Sequence, residues 1–123
     1  MSVQNLFKLA TLLESVRKVL GDKAILVSSG YRCPALNHAV GGAAVSDHLR
    51  GAAADFTVPS FGTPLQIATA IAKSNIKFGQ LIWEGTWVHI SLPDGNNDGE
   101  VLTAKFVRQP DGSMKTVYFK GLA

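Results

Sequence analysis

Apolar residues recur at three- and four-residue steps from residue 4 to residue 20. Leu6, Leu9, Leu13, Val16 and Leu20 mark the stripe, and Lys8, Glu14 and Lys18 fall between them. This is helical periodicity, and it predicts an amphipathic helix with one buried face. Gly21 and Asp22 form its stop signal. Residues 24–29, AILVSS, are short, apolar and rich in branched side chains, which predicts a strand ended by Gly30. Pro34 suits the first turn of a short helix, PALNHAV, closed by Gly41 and Gly42. Residues 52–58, AAADFTV, predict a second strand, with Ala54, Phe56 and Val58 on one face and Asp55 and Thr57 on the other. Thr63 and Pro64 have the chemistry of N-cap and N1, and Leu65, Ala68, Ile71 and Ala72 supply that helix with an apolar stripe. Strands are expected at 78–83 and 86–91, with a turn near Glu84 and Gly85. In the second of them Val88 and Ile90 face one way, and Trp87, His89 and Ser91 the other. A polar stretch, PDGNNDGE, separates these from two more strands, VLTAKFV and MKTVYF, joined by a turn at Asp111 and Gly112. The order predicts an α+β domain with a mostly antiparallel sheet flanked by helices.

Composition narrows the class. The 123 residues make one domain, 1–123, and 46% hydrophobic with 17% charged residues excludes a disordered chain. A net charge of +3 is too small to argue for nucleic acid as a partner. A single cysteine, Cys33, leaves no internal disulfide. No run approaches the ~18 apolar residues of a membrane span. The first twenty residues lack the basic start and unbroken apolar run of a secretory signal. The expectation is a monomer made in the cytoplasm.

The candidate chemistry lies in two imidazoles and a carboxylate. His48 sits in SDHLRG, Asp55 is ionisable in an otherwise apolar strand, and His89 sits in WVHIS. Two imidazoles and one carboxylate are a common ligand set for catalytic zinc, which keeps a fourth position for water and lowers its pKa to about 7. Each residue also has a plainer reading. A histidine on a strand is often a hydrogen-bonded structural residue, and an aspartate beside a turn often caps it. Their spacing is not a compact local motif, so it leaves both readings open.

Three segments taken together narrow the choice. SGYRCPALNHAVGG, SDHLRGAAADF and WVHIS resemble the zinc D-Ala-D-Ala carboxypeptidase family, the LAS-type metallopeptidases. Its pattern is S-G-[YF]-R, then S-x-H-x-x-G-x-A-x-D, then a strand ending W-x-H. The matching positions here are Ser29 to Arg32; Ser46, His48, Gly51, Ala53 and Asp55; and Trp87 with His89. The similarity runs from about residue 6 to residue 104, and the compact form is most similar to small phage endolysin peptidases. The resemblance implies a hedgehog/D-Ala-D-Ala peptidase-like fold, Zn2+ on His48, Asp55 and His89, and a peptidoglycan stem peptide as substrate. It implies that Arg32 grips a substrate carboxylate or polarises the scissile carbonyl, and that Ser46 helps hold the carboxylate end. It also implies action at the bacterial cell wall, with a separate membrane-pore protein for delivery. One position departs from the pattern. The family's acidic residue three positions before the last histidine is Thr86 here, so Glu84 is the candidate general base and Asp47 the second. Hedgehog signalling domains resemble the same scaffold and act through partners. The alternative function is therefore a non-catalytic, zinc-containing binding module.

Two weaker signals are set aside. Cys33 precedes a helix start, where a thiolate is favoured, and His38 or His89 would have to serve as its base. No third orienting residue stands out, so a small half-buried thiol is the preferred reading. Asp94, Asn96, Asp98 and Gly99 match the opening of a calcium loop, but its twelfth position is Lys105 and its flanks read as strands.

Overall fold

The computed structural model describes residues 3–29, 53–93, 95 and 98–122. Helix α1 (Val3–Val19) leads into strand β1 (Leu26–Ser29). After it come β2 (Ala53–Thr57), helix α2 (Pro64–Ala72), β3 (Gln80–Trp83) and β4 (Val88–Ser91). A long hairpin, β5 (Glu100–Arg108) and β6 (Met114–Lys120), completes the described fold. The short helix expected at PALNHAV lies outside the described residues.

The six strands form one sheet in the order β1-β2-β4-β3-β5-β6. All neighbours are antiparallel except β3 and β5, which run parallel. The α+β class and the mostly antiparallel sheet therefore stand as expected. The parallel pair arises because the chain leaves β4, passes the polar loop and returns on the far side of β3. Sequence periodicity carries no information about that crossover.

Alternation decides which sheet face is buried. Ala54, Phe56, Val58, Leu81, Val88 and Ile90 are fully buried, and they meet Leu9, Leu12 and Val16 of α1, Leu20 just beyond its end, and Ile67, Ala68 and Ile71 of α2. Both helices thus cover one face of the sheet, removing its apolar side chains from water. The stripe of α2 is rotated from the expected one. Ile67 joins Ala68 and Ile71 in the core, Leu65 is half-buried and Ala72 is exposed.

Helix α2 starts where Thr63 and Pro64 place it. The Gln66 backbone N–H donates to Thr63 Oγ1 at 3.3 Å, and the Thr63 N–H donates to Gln66 Oε1 at 2.9 Å. This is a reciprocal capping box that satisfies two otherwise unpaired donors. Thr63→Ala is expected to cost about 1 kcal/mol, read as a shifted urea midpoint with an unchanged slope. An unchanged midpoint would show that the cap contributes nothing.

The β3–β4 pair is pinned at the end remote from its turn. The Gly79 N–H donates to the Ser91 carbonyl at 2.8 Å, and the Gln80 N–H donates to Ser91 Oγ at 2.8 Å. A Cβ on Gly79 would lie 2.5 Å from the Leu92 carbonyl oxygen, so only glycine permits this approach. The register matters for function. A slip of one residue would turn His89 into the core and Ile90 out of it.

Candidate metal centre

The face of the sheet turned away from the helices carries the candidate chemistry. Asp55 on β2 is directly opposite His89 on β4, and His89 is opposite Ile82 on β3. Residues opposite each other share a face, so the Asp55 and His89 side chains meet. His89 Nδ1 lies 2.9 Å from Asp55 Oδ1. Both side chains are largely shielded, at 13% and 15% exposure. A carboxylate this enclosed requires a compensating partner, and the imidazole stands in that position.

The third group reaches this pair through the turn. Gly85 adopts a φ of 84°, a left-handed conformation that glycine accepts without steric cost. The turn closes with the Glu84 N–H donating to the Trp87 carbonyl at 3.0 Å. The Trp87 indole N–H in turn donates to Glu84 Oε2 at 2.9 Å. Held this way, one carboxylate oxygen of Glu84 lies with ligand atoms of Asp55 and His89 in a group whose members are all within 4.8 Å of one another.

The two tryptophans divide between the faces. Trp83 packs against the core, and its indole donates to the Gly85 carbonyl at 3.2 Å. Trp87 is half-buried on the open face and orients Glu84. Beside it stands Phe106 of β5, with ring centroids 6.4 Å apart and planes inclined at 42°. Tyr118 of β6 occupies the same face. Burial, and after it the negative charges of Glu84 and Asp55, hold its hydroxyl above the usual tyrosine range. It is therefore protonated at neutral pH. Sequence reading passed over Phe106 and Tyr118. Their signal was the alternation in VLTAKFV and MKTVYF, but only the strand order shows that this hairpin flanks β3.

Of the site residues expected from sequence, Asp55, Glu84 and His89 are brought together. His48, Arg32, Ser46 and Asp47 lie outside the described residues, as do Cys33 and His38. Of the calcium-like loop, the described part shows the Asp98 carboxylate accepting from the Gly95 N–H at 3.0 Å, and β4 and β5 flank it.

The donor set fits zinc. Two ligands on a tetrahedral zinc at ~2.1 Å each stand roughly 3.4 Å apart, so the 2.9 Å pair of Asp55 and His89 needs only a small opening. Imidazole and carboxylate are both ordinary zinc donors.

Comparison with known proteins bears on this arrangement. The profile of the family described as Peptidase M15 matches residues 1–91. The chain belongs to the Peptidase M15 family. This is the family to which the SGYR, SDHLRGAAAD and WVH motifs pointed. The chain is also 38% identical over 73 residues to a zinc D-Ala-D-Ala carboxypeptidase of Streptomyces albus G. That stretch covers 59% of this chain but only 28% of the relative. The M15 match ends with β4, so β2, β3 and β4 lie within it and the β5–β6 hairpin lies beyond it.

Proposed function

We propose that this M15 chain is a zinc-dependent peptidase that hydrolyses peptide bonds in the stem peptides of bacterial peptidoglycan, acting as an endolysin or D,D-carboxypeptidase. The observation that carries the reading is the meeting of Asp55, Glu84 and His89 on the open face of the sheet. Family membership and the name of the Streptomyces relative support zinc and a cell-wall substrate. The compact motif arrangement, similar to small phage-type members, supports the endolysin role. Action at the wall, with a separate pore protein for delivery, belongs to the same proposal. Among the described residues no helix is long and apolar enough to cross a membrane.

Asp55 and His89 would hold the zinc, with His48 as the third ligand. Bound there, zinc supplies Lewis acidity and a water acidic enough to ionise near neutral pH. Glu84 has the placement of a general base, since its carboxylate stands beside the ligand pair and is oriented by the Trp87 indole. Its role is to take the proton of the attacking water and pass it to the leaving amine. Arg32 and Ser46 are the proposed grips on the peptide, Arg32 through the fixed fork of its guanidinium.

The test is turbidity loss of purified cell walls. Wild-type protein is expected to clear them, a chelator to stop clearing, and added Zn2+ to restore it. Mass spectrometry of the released fragments should show new amine and carboxyl ends within stem peptides. Zinc binding without any cleavage would favour the binding module instead. Clearing that survives the chelator but is lost in Cys33→Ser would overturn the metal mechanism.

A further inference from the structure

The β5–β6 hairpin lies beyond the M15 match, yet it reaches the candidate centre. Its register shows how. Trp83 of β3 pairs with Thr103 of β5, so Glu84, the next residue, comes level with Ala104. Ala104 pairs with Tyr118 of β6. Glu84, Ala104 and Tyr118 therefore stand in one row, across three adjacent chain segments and on the face opposite the helices. Neighbouring strands are about 4.8 Å apart, so two spacings separate the Glu84 and Tyr118 backbones, with only a methyl group between them. A tyrosine is long enough to lean across an alanine. The influence of the Glu84 and Asp55 charges on the Tyr118 hydroxyl accords with that placement. The Trp87–Phe106 contact joins the same hairpin to the turn that carries Glu84. Tyr118 remains 54% exposed and Phe106 49%, so this wall is open to an incoming chain.

We propose that Tyr118 is a substrate-positioning residue, whose hydroxyl donates a hydrogen bond to a backbone carbonyl oxygen of the stem peptide lying along the β5–β6 hairpin beside Glu84 and His89. Phe106 and Trp87 form the apolar wall against which that peptide rests. The inference rests on the peptidase reading, and it adds a substrate grip from a part of the chain beyond the family match.

The decisive variant is Tyr118→Phe, which keeps the ring and removes only the hydroxyl. Cleavage of a soluble peptidoglycan stem pentapeptide is followed over a range of concentrations. Binding of the same peptide to zinc-loaded Glu84→Gln protein is measured with and without the Tyr118 change. Loss of one hydrogen bond to substrate is expected to raise KM and Kd about fivefold, with kcat, zinc content and melting temperature unchanged. A purely structural tyrosine would move the melting temperature and leave Kd alone. If KM and Kd are both unaffected by Tyr118→Phe, the inference falls. A wild-type chain that binds the pentapeptide without cutting it overturns the peptidase reading, and Kd still decides on Tyr118. A chain that does not bind the peptide overturns both.

Discussion

Glu84→Gln is expected to lower the rate of stem-peptide cleavage about 10²- to 10⁴-fold, the span typical for loss of a general acid–base group. The substitution is chosen for its shape. Glutamine keeps an oxygen to accept from the Trp87 indole, which now donates to Glu84 Oε2 at 2.9 Å. The turn closed by the Glu84 N–H and the Trp87 carbonyl is built from backbone and is untouched. What disappears is basicity. Zinc content and melting temperature should therefore match wild type while kcat collapses. A loss of zinc together with activity would instead make Glu84 a metal ligand, which its position within 4.8 Å of the Asp55 and His89 donors also permits. Activity close to wild type would remove Glu84 from the chemistry and turn attention to Asp47.

The second large effect is on stability. Phe56→Ala is expected to cost about 3–5 kcal/mol, because the ring is fully buried and its removal leaves a cavity between the sheet and the helices. Domains of this kind have roughly 5–15 kcal/mol in total, so the variant would retain a fraction of its stability. The melting temperature should fall by more than about 10 °C. Phe56 directly follows Asp55 on β2 and pairs with Val88, the neighbour of His89. A cavity there loosens the two strands that hold the candidate ligands in register. The variant that still folds should accordingly bind zinc less tightly, measured by competition with a chromogenic chelator. A fall in melting temperature of less than about 3 °C would show that the site collapses around the missing ring.

Local chemistry made much of this fold legible. The start of α2 at Thr63 and Pro64, the alternation Ala54/Phe56/Val58 and most of the apolar stripe of α1 are written within a few residues, although Leu12 rather than Leu13 is the buried one. The opposed faces of His89 and Ile90 were legible for the same reason, since successive strand residues point to opposite sides. What could not be read was pairing across the sheet. That Asp55 lies opposite His89 depends on β2 lying beside β4, a contact between residues 34 positions apart. The parallel seat of β5 against β3 is equally non-local, and Tyr118 and Phe106 escaped notice because of it. Ile67 escaped for a smaller reason: a short helix of nine residues offers too few turns to fix the direction of its apolar face.

Asp55 and His89, with His48, are the residues proposed to share one zinc ion. Metal analysis by mass spectrometry of purified wild type and of the single variants Asp55→Ala, His89→Ala and His48→Ala tests that sharing most directly. One zinc per wild-type chain is expected, with a loss of zinc in each of the three variants and circular dichroism showing the sheet and helices retained. Full zinc occupancy in folded His89→Ala or Asp55→Ala protein would contradict it.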